Sequence, residues 1–183
     1  MKITFKAFIA LLIMIVSPQT LLAQNEEVDL ENTLYLELET GRVVIRMYPD
    51  IAPNHVARIK ELTRQKFYDG IVFHRVIDGF MAQTGDPTGT GGGGSGQNLD
   101  AEFSDFPHYK GMVSMARASD PNSADSQFFI TFAYRPDLDG QYTVWGEVVN
   151  GMKFVDQIKR GEGEGFTDPD KIVTMRVAAD VEN

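Results

Sequence analysis

The run Thr33-Leu34-Tyr35-Leu36-Glu37-Leu38 alternates apolar and more polar side chains, then turns through Glu39-Thr40-Gly41-Arg42 into Val43-Val44-Ile45-Arg46-Met47-Tyr48. A period of two on both sides of a glycine turn specifies a β-hairpin and sets the style of the whole chain. Further short strands are predicted over 73–77, 112–115, 127–131, 142–148 and 172–178, with turns at Asp69-Gly70, Asp78-Gly79 and Asp139-Gly140. Helical spacing is confined to two stretches. Pro53 opens the first, with Val56, Ile59, Leu62 and Phe67 on one face and Asp69-Gly70 at its end. Met152, Val155 and Ile158 mark the second, closed by Gly161. Many short strands with two separated helices predict a mainly β fold, a closed antiparallel barrel. There is no Cys, which removes disulfides, CxxC redox chemistry and thiolate metal sites. Packing has to hold the fold.

The N-terminus has the order of a secretory signal: Lys2 and Lys6, an apolar run over 7–16, then small and polar residues to Ala23. That run is well short of the roughly 20 residues that span a bilayer, so cleavage after Ala23 is expected rather than a membrane anchor. The expected organisation is a signal peptide at 1–23, a polar lead-in at 24–32 and one domain at 33–183. An exported protein follows, with the periplasm as its expected compartment and secretion the alternative. Losing the two signal lysines takes the formal net charge from −9 to −11. So acidic a domain suits neither nucleic acid nor an anionic membrane surface.

Chemistry concentrates in Phe73-His74-Arg75-Val76-Ile77-Asp78-Gly79-Phe80-Met81-Ala82-Gln83-Thr84-Gly85-Asp86. One cation and one amide stand among large apolar side chains, with no paired acid, base or thiol beside them. Strand alternation puts Arg75 on one face with Phe73 and Ile77, and His74 on the other. Such a surface can grip a peptide and polarise an amide. It offers no nucleophile.

This block resembles the signature of the cyclophilin family of peptidyl-prolyl cis-trans isomerases. Three further pieces agree in order: the glycine-rich Gly85-Asp86-Pro87-Thr88-Gly89-Thr90-Gly91-Gly92; Gly111-Met112-Val113-Ser114-Met115-Ala116 with Asn122 and Ser126-Gln127-Phe128-Phe129-Ile130; and Leu138-Asp139-Gly140-Gln141-Tyr142-Thr143-Val144-Trp145-Gly146. The resemblance covers 33–179 and implies eight strands with a helix over each open end. It implies Arg75 as the catalytic arginine, and Phe80, Met81, Phe129, Leu138 and Tyr142 around a pocket for a proline ring. It also implies Gln83 and Gln127 as polar contacts, and Ala116, Arg117 and Ala118 as a peptide-binding edge where the family's usual Asn is Arg117. No cofactor or metal is implied, the partners are proline-containing flexible polypeptides, and a monomer is expected. A cyclophilin fold that binds proline segments with little turnover is the rival reading. The family's most studied members carry Trp at the position of Asp137 and His at that of Tyr142. The Trp position is linked in the family to cyclosporin binding, so weak sensitivity to that drug is expected.

Other chemistries find no support in the residues. The glycine run over 89–96 lacks the Gly-Lys-Ser/Thr ending of a phosphate loop, and no Gly-x-Ser-x-Gly elbow exists. His55, His74 and His108 share no metal-ligand spacing, and His74 reads as structural. The segment 120–125 is calcium-like in composition but lacks the loop glycine and terminal glutamate, so it reads as a turn.

Overall fold

The computed structural model describes residues 29–181. The expected signal segment and the first part of the lead-in lie outside the described residues. The elements run β1 (Thr33–Leu38), β2 (Gly41–Met47), α1 (Pro53–Arg64), β3 (Arg75–Ile77), β4 (Met81–Thr84), β5 (Met112–Met115), β6 (Phe128–Thr131), β7 (Val144–Asn150), α2 (Met152–Val155), β8 (Gly161–Glu162) and β9 (Thr174–Val177). No helix among the described residues is long and apolar enough to cross a membrane.

The expected closed, eight-stranded barrel is not what forms. Nine strands make one antiparallel sheet in the order β8-β3-β4-β6-β5-β7-β2-β1-β9, an open, curled half-barrel. A single bridge, Val72 to Lys171, links the segments that precede β3 and β9, so the two ends approach without a ladder. Register shifts at Val44/Ile45 in β2 and at Val113/Ser114 in β5, both against β7, bend the sheet.

The curl encloses a core of Leu34, Leu36, Ile45, Val76, Ala82, Val113, Phe128, Ile130, Trp145 and Val177, among others. Trp145 and Tyr68 each meet the Phe128 ring edge-on, with ring centroids 5.5 Å apart. Helix α1 adds Val56, Ile59 and Leu62. Each such side chain contributes roughly 1.5–3 kcal/mol of burial free energy. The helix stops at Arg64, short of its expected end, because Lys66 takes a left-handed φ of 59°. Phe67 therefore packs on the core from a turn rather than from the helix.

Ala52, the residue before α1, supplies no side-chain cap, and Pro53 has no N–H to satisfy. A distant carboxylate caps the helix instead. Glu102 accepts from the backbone N–H groups of Asn54 and His55, each at 3.1 Å, and from His55 Nδ1 at 2.6 Å. Burial acts to raise the Glu102 carboxyl, but these donors outweigh it and hold it below the usual glutamate value.

Candidate active site

The strands that close the core on one face carry a second apolar cluster on the other. Along β4, Ala82 points into the main core while Met81 and Gln83 point outward; along β6, Phe128 and Ile130 face in and Phe129 faces out. Cross-strand register then lines up one row of opposed residues: Glu162 with Arg75, Arg75 with Gln83, Gln83 with Phe129, and Phe129 with Ser114. Local strand pairing alone puts these groups side by side. Arg75 shares the outer face with Ile77 as alternation requires, but Phe73 does not join them. The strand begins at Arg75, and Phe73 is fully buried in the main core.

The outer cluster consists of buried Met81, Phe129 and Leu138, rimmed by Ile77, Phe80, Ala116 and Tyr142. Phe129 meets Tyr142 edge-on at 5.6 Å. Behind Phe129 stands His108, fully buried, its ring stacked at 6.5 Å and its Nδ1 2.8 Å from Asp139. Leu138 reaches the pocket from the turn that follows Pro136.

At the rim, the Arg75 guanidinium lies 5.9 Å from the Phe80 ring centroid and donates through Nε to Glu162 at 2.8 Å. Its Nη groups have no protein partner among the described residues. Gln83 donates to Gln127 at 2.9 Å, and Gln127 donates to the carbonyls of Gly91 and Gly93. The glycine-rich loop is thus tied to the sheet by two amides. Two carboxylates hold it, Asp86 from within the loop and Asp125 from the 120–125 turn. Asp86 accepts from the Thr88 and Gly91 amides and from the Thr88 hydroxyl, and Asp125 accepts from Ser95 and Gly96. Burial opposes the charge on Asp86, but its donors prevail and its pKa falls to about 2. His74 packs beneath Gly91, and burial lowers its imidazole pKa.

Between this loop and strand β5 lies a cavity of about 330 Å³ bordered by Gln83, Ala116, Arg117, Ala118, Asp125 and Gln127. The structure therefore gathers all the sequence-predicted site residues into one region: an apolar pocket, a polar cavity beside it and Arg75 at the edge. Arg117 lines the cavity, but its guanidinium is already engaged by protein groups. It donates to the Gln141 and Ala118 carbonyls, with its central carbon 4.8 Å over the Tyr142 ring. The segment 120–125 forms a turn, with Asp120 accepting from the amides of Asn122 and Ser123.

Sequence reasoning missed two residues at the rim. Glu162 is one; Arg135 is the other. The Arg135 guanidinium lies 3.9 Å over the Phe80 ring and pairs through two bonds, of 2.8 and 2.6 Å, with Asp137. That partner lowers the Asp137 pKa. Asp137 is therefore no lone charged acceptor at the pocket, because its charge already faces Arg135.

Comparison with known proteins agrees with this geometry. The family described as "Cyclophilin type peptidyl-prolyl cis-trans isomerase/CLD" matches residues 33–177. The "Probable peptidyl-prolyl cis-trans isomerase" of Brucella suis is 49% identical over 168 residues, 83% of this chain and 85% of that relative. Peptidyl-prolyl cis-trans isomerase B of Bacillus subtilis is 41% identical over 133 residues, 71% of this chain and 92% of that relative. Among solved structures, the cyclophilin AquaCyp293 of Hirschia baltica superposes with a TM-score of 0.76 at 31% identity, covering 84% of this chain and 76% of that one. A cyclophilin-type isomerase of Cryptosporidium parvum, crystallised in the presence of the dipeptide Ala-Pro, gives 0.73 at 28% identity, covering 79% and 98%. The fold is cyclophilin-like, mainly β with two helices. The chain belongs to the cyclophilin-type peptidyl-prolyl cis-trans isomerases.

Proposed function

We propose that this isomerase accelerates rotation about X-Pro bonds in exported polypeptides as they fold, by non-covalent catalysis centred on Arg75. Rotation about a peptide C–N bond is opposed by roughly 18–20 kcal/mol, because nitrogen lone-pair density is delocalised into the carbonyl. A donor directed at the prolyl nitrogen favours the twisted, pyramidal state in which that pair is localised, and each ~1.4 kcal/mol of such selective stabilisation is worth tenfold in rate. Arg suits this chemistry because its charge is permanent and its donors are planar and rigid. The observation that carries this reading is the placement of the Arg75 guanidinium, with both Nη groups unpartnered among the described residues, at the rim of an apolar pocket separate from the core. Met81, Phe129 and Leu138 would take the proline ring, Phe80 and Tyr142 would wall it, and Gln83 and the 116–118 edge would run beside the peptide.

Uncatalysed X-Pro isomerisation takes tens to hundreds of seconds, slow enough to limit folding where chains arrive unfolded. The signal-like order of 1–23 supports that setting. An NMR-exchange or protease-coupled assay on a proline peptide tests the mechanism. Arg75→Ala should lower kcat/KM by about 10²-fold, roughly 3 kcal/mol at the barrier, while the fold persists. Near-wild-type turnover by folded Arg75→Ala would refute it.

A further inference from the structure

We infer that Glu162 is the positioning residue for Arg75, fixing the guanidinium so that its Nη groups face the pocket; this rests on the reading of Arg75 given above. Strand β8 is two residues long, and its only ladder in the sheet sets Gly161 and Glu162 against Val76 and Arg75. A Cβ on Gly161 would run into the Phe166 ring, so the glycine lets the following loop fold back over β8. The result is one directed contact, Arg75 Nε to Glu162 Oε2 at 2.8 Å, between residues directly opposed across the strands.

As a stabilising feature this contact is minor. The side chains are 40% and 54% exposed, and exposed pairs of this kind add little to stability. As an orienting feature it matters more. A guanidinium is a rigid planar fork, so holding the Nε edge fixes where the other donors point. Among the described residues, only the loose ring contact with Phe80 would be left to select a rotamer for Arg75 without Glu162. The backbone row already places the Arg75 Cα; the carboxylate settles the end of a long, flexible side chain. Positioning of a transition-state donor is read in kcat rather than in substrate binding.

The test compares wild type with Glu162→Ala, Glu162→Gln and Arg75→Ala in the isomerase assay, separating kcat from KM. Glu162→Ala should lower kcat about tenfold, ~1.4 kcal/mol at the barrier, with KM changed less than about twofold. Glu162→Gln keeps an acceptor oxygen for Nε and should retain most of the wild-type kcat. In 15N NMR spectra the Arg75 Nε–H should be protected from solvent exchange in wild type and Glu162→Gln, and lose that protection in Glu162→Ala; this readout holds even if one variant is less stable. Wild-type kcat in Glu162→Ala, a loss confined to KM, or Glu162→Gln as impaired as Glu162→Ala would each overturn the inference. Failure of the underlying reading looks different: Arg75→Ala would then be as active as wild type.

Discussion

Glu102 gives the most exacting test of how this fold is held. Its carboxylate satisfies the amides of the second and third residues of α1, Asn54 and His55, which neither Ala52 nor Pro53 can do. It also takes the Nδ1–H of His55, a side chain with no exposed surface. Glu102→Ala removes the cap, worth about 1 kcal/mol, and leaves a buried ring N–H without its charged acceptor, worth about 1.5–3 kcal/mol. These contributions overlap, so about 3 kcal/mol is expected in total, which for a domain of this size lowers Tm by about 6–12 °C. The effect should depend on pH. Because the folded carboxyl sits below its ordinary value of 4.5, its stabilisation is fully present above that value and is lost as pH falls through the lower folded pKa. Thermal melts of wild type and variant at pH 7 and on stepwise acidification measure both quantities. A gap of less than about 2 °C at neutral pH, or one that does not narrow in acid, would refute the reasoning.

Asp137→Trp should tighten cyclosporin inhibition by about two powers of ten, as regained packing and a hydrogen bond worth a few kcal/mol would give. Turnover should change little, and equal inhibition of both proteins would show that other groove residues set drug affinity. For export, N-terminal sequencing of protein from the producing cell should find a chain beginning near Gln24, and an intact Met1 in the membrane fraction would contradict this.

Features that are local can be read from the sequence. Alternation in 33–48 and over Arg75–Ile77 fixes which side chains share a face, but it fails at Phe73, which lies before the strand begins; Met81 and Gln83 beside Arg75 are legible through the family resemblance. Strand number and closure are not legible there, because the bend depends on bulges in β7, where Val149 is skipped against Val44/Ile45 and Trp145 against Val113/Ser114, that no turn residue announces. The end of α1 is misplaced for a similar reason: Lys66 adopts a left-handed φ without being Gly or Asn. Glu162 lies 87 residues from Arg75 and joins it only through a two-residue strand, so nothing near either residue points to the other. The Arg135–Asp137 pair is within reach of sequence reasoning. Pro136 between them opens a tight 3-10 turn that brings charges two positions apart together.

These pairings share a logic that bears on how the pocket works. Three guanidinium groups lie around it, and each has its acceptors outside the apolar cluster: Glu162 for Arg75, Asp137 for Arg135, and the Gln141 and Ala118 carbonyls for Arg117. The guanidinium carbons of Arg135 and Arg117 lie 3.9 and 4.8 Å over the Phe80 and Tyr142 rings, so they pack on the walls of the pocket. Met81, Phe129 and Leu138 are left as apolar surface that a prolyl ring can occupy without displacing a charge. Arg75 differs from the other two in that both its Nη groups remain uncommitted among the described residues. On the mechanism proposed above, a site built this way would meet the twisted amide with donors already oriented, so that little of the stabilisation would be lost to rearranging them at the barrier.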